Sequence, residues 1–193
     1  MNKKHYLMMA FVSLLAAATF CACSKDDDEG GGGSGNPILG KTGAVAITIE
    51  NGADYSDVID EVRLVYGDMY VASRADYNNG SFTIDLPASV ADKYLEAFED
   101  DYPAGFTISN PSVKGATAWL SGYQSDKRKG SFRHSTGEWT GRELLYVTGD
   151  VSITGTAPDG AYNVHLKKGW NLVYEKKNEV TTSAPAGAKW QYK

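Results

Sequence analysis

The spacing of apolar and polar residues predicts a chain built from short β-strands. Residues 45–50 and 81–86 alternate apolar side chains with polar or small ones, which is the period of a strand with one buried face. Gly67-Asp68 and Asn78-Asn79-Gly80 supply the turn chemistry that joins neighbouring antiparallel strands. Further strands are predicted at 62–66, 69–75, 113–123, 144–153, 162–166, 170–174 and 188–192.

One helix is predicted among these strands, over residues 89–98. Ser89 and Asp92 have the spacing of a capping box at its start. Val90, Tyr94 and Phe98 recur at i, i+4 and i+8 and predict one apolar stripe.

Three carboxylates follow the predicted helix, where the helix dipole favours cations instead. Glu99, Asp100 and Asp101 are therefore weak candidates for a Ca²⁺ site, because carboxylate oxygens are the ligands that this cation prefers. The spaced aspartates of a calcium-binding loop are missing from the sequence, so a solvated loop is the favoured interpretation.

Composition supports an all-β fold with one short helix. The chain contains 12 Tyr, 4 Trp and 21 Gly, as expected for strands joined by tight turns. We expect an antiparallel β-sandwich or a partly closed barrel over residues 41–193. This β-rich domain could consist of two small sheet units, about 41–110 and 111–193, since Gly130-Ser131-Phe132 repeats Gly80-Ser81-Phe82. A barrel would line a cavity with Ile153, Leu166 and Trp170.

The N-terminus has the order of a secretory signal. Lys3 and Lys4 precede the apolar run 6–20, which is shorter than the roughly 20 residues that span a bilayer. Cys23 follows a small residue and suits acylation after cleavage, so residues 1–22 are predicted to be a lipoprotein signal peptide. Cys21 remains an alternative acylation site, and residues 23–40 are predicted to be an acidic, glycine-rich tether.

Ser24, Lys25, Asp26, Asp27, Asp28 and Glu29 directly follow Cys23. This segment resembles the acidic export tag of surface-exposed lipoproteins of the Bacteroidetes. The resemblance implies a bacterial outer-membrane protein, held by lipid and displayed outside the cell. Residues 166–174, with 181–183 and Lys189-Trp190, are similar to the closing hairpin of uncharacterised secreted β-domains of the same group. That second resemblance implies a shared fold element and no chemistry.

The net charge of −5 becomes −7 if residues 1–22, with Lys3 and Lys4, are removed. Such a charge balance disfavours nucleic acid and anionic lipid headgroups as partners, because both bind to surfaces with clustered cations. The membrane is therefore expected to be a partner only through the N-terminal lipid, and no cofactor is predicted.

Motifs for catalysis are missing from the sequence. It contains no GxSxG or HExxH pattern, and no cysteine follows Cys23. His165 is expected to be solvated, which leaves His134 as the one candidate acid or base, and adjacent Ser135 should point to the opposite face of its strand. The carboxylates that could form a glycosidase pair are better explained as solvated charges: Asp57, Asp60, Glu61, Glu138 and Glu143.

Aromatic side chains give the remaining candidates for a site. Trp119, Tyr123 and Trp139 could stack on sugar rings, since both faces of an aromatic ring are apolar. We therefore expect a surface-displayed, lipid-anchored, non-catalytic domain that binds a glycan or a protein outside the cell. A calycin-like barrel carrying a small apolar ligand is the alternative, followed by a hydrolase.

Overall fold

The structure, a computed structural model, describes residues 35–98, 105–157 and 160–193. Two short 3₁₀ turns, Gly52–Tyr55 and Asp92–Tyr94, interrupt the strands. The strands are β1 (Gly43–Thr48), β2 (Glu61–Tyr66), β3 (Tyr70–Asp76), β4 (Ser81–Leu86), β5 (Glu96–Ala97), β6 (Phe106–Ile108), β7 (Lys114–Gln124), β8 (Lys127–Ser135), β9 (Thr140–Val147), β10 (Val151–Ala157), β11 (Gly160–Leu166), β12 (Gly169–Lys176), β13 (Glu179–Thr181) and β14 (Lys189–Tyr192).

Two sheets are formed within the described ranges. Strands β1 and β4 pair antiparallel in the small sheet. The large sheet has the order β3-β2-β7-β8-β9-β12-β13-β11-β10-β6, with β14 beside β8 and β5 beside β7. Its pairings are antiparallel except for β11 with β13. Bridges from Lys41 to Trp170 and from Ile49 to Trp190 attach the ends of β1 to β12 and β14. The all-β prediction is confirmed, in the form of a sandwich that these attachments partly close.

The larger core cluster lies between the small sheet and one face of the large sheet. The alternation of β4 buries Phe82, Ile84 and Leu86, which explains why its pattern predicted the strand correctly. Phe82 meets Phe132 of β8, with ring centroids 5.0 Å apart. The two phenylalanines of the repeated Gly-Ser-Phe tripeptide therefore pack in one cluster.

A smaller core cluster covers the opposite face of β9. Leu144 and Tyr146 belong to the larger cluster, whereas Val147 packs with Ile153 and Leu166 from the β10–β11 hairpin. Strand β9 is therefore buried on both faces. Ile153 and Leu166 do not line a cavity with Trp170, which belongs to the larger cluster.

The prediction of a helix over residues 89–98 is wrong. Only Asp92–Tyr94 forms a 3₁₀ turn, and its N-cap is Ala91 rather than Ser89, without a side-chain capping hydrogen bond. Val90 packs in the larger cluster and Phe98 in the smaller one, so the apolar spacing serves two cores rather than one helical stripe. Between them, Glu96–Ala97 pairs with the start of β7. Tertiary packing has overridden a local pattern.

The prediction of one continuous strand over residues 144–153 is also wrong. A turn at residues 148–150 divides it into β9 and β10. Strand β8 was missed because its first half is a run of charged residues, which indicated only a turn. Among the described residues, no helix is long and apolar enough to cross a membrane.

Candidate functional site

Three tyrosines meet at the turn between β2 and β3 and are called here the tyrosine cluster: Tyr66, Tyr70 and Tyr94. The ring centroids of Tyr66 and Tyr70 are 5.2 Å apart, and Tyr94 lies 5.0 Å from Tyr66 and 5.5 Å from Tyr70. The three rings thus form a nearly equilateral triangle. Each distance falls within the range in which aromatic pairs attract one another.

Local backbone geometry builds this cluster. Tyr66 ends β2 and Tyr70 begins β3, and antiparallel pairing places them directly opposite each other. Gly67 and Met69 in the turn have φ angles of 57° and 66°, in the left-handed region. A Cβ on Gly67 would lie 2.6 Å from Cδ1 of Tyr94. Glycine is therefore required both for the turn and for the approach of the third ring.

The cluster is buried at its base and open at its top. Tyr66 is 4% exposed and lies 6.3 Å from the ring of Trp170, which is fully buried. Tyr70 is 48% exposed and the adjacent Met69 is 62% exposed. Tyr94 is half-buried, and the ammonium of Lys93 sits 4.7 Å from its ring centroid. The result is a rigid aromatic surface anchored in the core.

Electrostatics keep the buried member of the cluster neutral. Burial raises the pKa of Tyr66, and the nearby phenols of Tyr70 and Tyr94 raise it further. The hydroxyl group of Tyr66 therefore stays protonated at physiological pH. Such a surface offers apolar ring faces for stacking together with hydroxyl groups that donate and accept hydrogen bonds. Stacking and hydrogen bonding of this kind suit the binding of a ligand.

The aromatic residues that the sequence suggested for sugar stacking lie outside the tyrosine cluster and are less exposed than Tyr70. Trp119 and Tyr123 are on the outer face of β7, away from the larger cluster. Tyr123 is 6% exposed, and the guanidinium carbon of Arg63 lies 4.0 Å from its ring centroid. Trp139 is half-buried against the larger cluster, with the ammonium of Lys176 5.2 Å from its ring centroid. The structure does not bring these three residues together with the tyrosine cluster.

His134 is a buried structural residue in this fold. It is 9% exposed, and its Nδ1 lies 2.7 Å from the hydroxyl of Tyr174. Burial lowers the pKa of His134 and strongly raises that of Tyr174, so both groups are neutral in this hydrogen bond. Ser135 points the other way and bonds to Gln191, as strand alternation predicted. His165 is exposed, as expected.

We expect His134 to make the fold less stable in mild acid. Its folded-state pKa lies below the unfolded value of about 6.5, so the unfolded chain binds the proton more readily. The stability contributed by the neutral ring is therefore present above that unfolded pKa and is lost as the pH falls below it. Urea unfolding of the wild type and of His134→Gln at several pH values checks this, since the substitution should flatten the pH dependence. An unchanged pH dependence would contradict the assignment.

Three of the candidate carboxylates, those of Glu61, Asp60 and Glu138, make local contacts. Glu61 bonds to Arg63 and Arg74 on the outer face of β2 and β3. Asp60 accepts a hydrogen bond from the backbone of Ser125. Asp57 is bound through its backbone carbonyl, and Glu138 lies 3.7 Å from the Lys176 ammonium.

Several predicted sites lie outside the described residues. These are Cys21, Cys23, the export tag 24–29 and the acidic run 99–101. Within the described part of the chain, no group of three histidine, cysteine or acidic side chains is placed to hold a metal ion.

Sequence reasoning missed the tyrosine cluster, although part of its signal was present. Tyr66 and Tyr70 flank the Gly67-Asp68 turn, so a hairpin necessarily places them across from each other. Tyr94 comes from a segment that was predicted to be helical, and only the tertiary fold brings it to the turn.

Comparison with known proteins adds no relative: no protein-family model matches the chain, and no curated protein or solved structure is significantly similar.

Proposed function

We propose that this protein is a lipid-anchored, surface-displayed, non-catalytic domain that binds a glycan through the tyrosine cluster. One observation carries the proposal: the exposed ring of Tyr70 is held between two other tyrosine rings above a buried tryptophan. Residues 1–22 supply the signal peptide and residues 23–40 the export tag and tether, and the β-rich domain supplies the binding surface.

The geometry favours a sugar because the surface combines apolar faces with hydroxyl groups. A pyranose presents C–H groups on one face and hydroxyls at its edge, which matches stacked phenol rings. The three rings are already packed in their positions, so little side-chain freedom is lost on binding. The exposed Met69 beside Tyr70 extends the apolar contact area.

We expect Tyr70→Ala to weaken glycan binding about tenfold, since losing one stacked ring and its buried area costs about 1–2 kcal/mol. The measurement is a glycan-array screen of the full-length chain in detergent micelles, followed by titration of the strongest glycan. Val58→Ala is the matched control, because Val58 is a similarly exposed apolar side chain, at 39%, in the loop before β2. No binding to any glycan, or equal weakening by both substitutions, would contradict the proposal.

The lipid anchor is tested separately. We expect metabolic labelling with a fatty-acid analogue to mark the wild type and Cys21→Ala but not Cys23→Ala, because acylation needs the thiol that becomes N-terminal after cleavage. An unlabelled wild-type chain would rule out the anchor. Loss of label in Cys21→Ala alone would move the anchor to Cys21.

A further inference from the structure

The outer face of the large sheet carries arginines from three of its strands, with β7 lying between β2 and β8, and this surface is called here the arginine face: Arg63 of β2, Arg74 of β3, and Arg128 and Arg133 of β8. Arg63 of β2 lies directly opposite Arg74 of β3, and on its other side opposite Ser121 of β7. These four are all the arginines whose side chains the structure describes.

Contacts from β8 place its two arginines on the same face. Nε of Arg128 donates to the hydroxyl of Ser121 at 3.2 Å, and Arg128 pairs across from Tyr123. Arg133 follows Ser131 by two residues, between Phe132 and His134, which both point into the larger core. Its side chain therefore emerges on the outer face.

Two of the four arginines, Arg63 and Arg74, form ion pairs with acidic neighbours. Arg63 is 8% exposed and pairs with both Glu61 and Asp126. Arg74 shares Glu61, with its Nη1 2.9 Å from one carboxylate oxygen. Cross-strand like charges repel, and Glu61 holds the Arg63–Arg74 pair together.

The positive charge of the other two arginines is not compensated by acidic side chains of the described residues. Within the described residues, neither Arg128 nor Arg133 forms an ion pair. Nε of Arg133 is buried and has no hydrogen-bond partner there. Two unpaired guanidinium groups on a chain of net charge −5 are a local reversal of the overall charge.

We propose that the arginine face binds an acidic polysaccharide, whose carboxylate or sulfate groups pair with Arg128 and Arg133. Guanidinium groups present planar, paired donors that match these anions better than an ammonium group does. Half-buried Trp119 lies on the same side of β7 and gives a ring for contact with sugar carbon atoms.

The number of free charges favours this ligand over nucleic acid. Duplex DNA carries a charge about every 1.7 Å and is held by many cations at once. Two free guanidinium groups on an acidic chain suit a ligand whose charges are widely spaced along an otherwise neutral backbone. This site lies apart from the tyrosine cluster and does not depend on it.

The test measures binding of the full-length chain, in detergent micelles, to immobilised polygalacturonate, dextran sulfate, uncharged dextran and duplex DNA. We expect binding to one or both acidic polysaccharides that weakens as salt is added, with no binding to dextran or DNA. The polygalacturonate and dextran sulfate arms distinguish carboxylate from sulfate as the recognised group.

Substitutions then locate the site. The double variant Arg128→Ala with Arg133→Ala should bind the acidic polysaccharide at least ~10-fold more weakly. Lys114→Ala with Lys177→Ala removes the same charge from two exposed lysines elsewhere and should bind as the wild type does. Arg128→Lys with Arg133→Lys keeps the charge and packing but loses the paired donors, so it should also weaken binding.

Tyr70→Ala should leave this binding unchanged, which separates the inference from the proposed function. Urea midpoints of all variants establish that they remain folded. Failure to bind either acidic polysaccharide, binding to DNA instead, or equal weakening by the lysine and arginine double variants would overturn the proposal.

Discussion

Replacing Trp170 with alanine is expected to lower the free energy of unfolding by about 3–5 kcal/mol. Trp170 is completely buried, and its ring contacts those of Tyr146 and Tyr66 at centroid distances of 5.4 and 6.3 Å. Its indole N–H donates to the carbonyl of Pro87 at 2.9 Å. Alanine would leave a large cavity and an unpaired buried carbonyl, both of which are costly.

The position of Trp170 explains why this effect should reach the candidate site. Its backbone exchanges hydrogen bonds with Lys41, which attaches the segment before β1 to β12. Its ring also supports Tyr66 at the base of the tyrosine cluster. Urea unfolding measures the loss, with Trp119→Ala as the control, because Trp119 is only half-buried on the outer face. A loss below about 1 kcal/mol, or an equal loss for both variants, would contradict this assignment.

Asn171→Ala is expected to cost about 3 kcal/mol, although it removes few apolar atoms. Asn171 is fully buried, and its amide nitrogen donates to the carbonyls of Lys167, Gly169 and Leu145 at 2.8, 3.0 and 3.3 Å. Its side-chain oxygen accepts hydrogen bonds from the backbone of Lys167 and Gly40 at 2.9 and 3.3 Å. One side chain therefore fastens the β11–β12 turn, β9 and the N-terminal segment.

The cost arises because the lost bonds remove hydrogen-bond partners from buried and partly buried backbone groups. Asn163→Ala is the matched control, because Asn163 is exposed and, within the described residues, its side chain bonds only to the ring of His165, at 2.9 Å. We expect the control to change the free energy of unfolding by less than about 0.5 kcal/mol. Equal urea midpoints for the two variants would show that the Asn171 bonds do not stabilise the fold.

Strand alternation predicted much of the fold because one buried face imposes a period of two. Residues 81–86 form β4 as expected, and residues 45–50 largely coincide with β1. The pattern failed where one segment serves two cores. Val90 and Phe98 have helical spacing, yet they pack in different clusters. Strand β9 is apolar on both faces, which hid the turn that separates it from β10.

The candidate site was only partly accessible to sequence reasoning. The hairpin that juxtaposes Tyr66 and Tyr70 was predicted, because strands and turn are local signals. The contribution of Tyr94 depends on the path of the chain after β4, which no local pattern encodes. Tyr123 was a reasonable candidate because of its aromatic side chain, but the guanidinium group of Arg63 covers its ring.

The tyrosine cluster and the arginine face lie on different surfaces of the domain. Tyr66 and Tyr70 lie at the turn end of β2 and β3, whereas Arg63 and Arg74 lie nearer the other end and on the outer face. The two surfaces are therefore expected to bind their ligands independently of each other.

The most direct test of the central claim is a nuclear magnetic resonance titration of the tyrosine ring signals with the oligosaccharide selected by the array. The proposal predicts that the signals of Tyr66, Tyr70 and Tyr94 shift together as the ligand is added, while the buried ring of Tyr174 does not respond. Shifts confined to tyrosines outside this cluster, with the three rings unaffected, would contradict it.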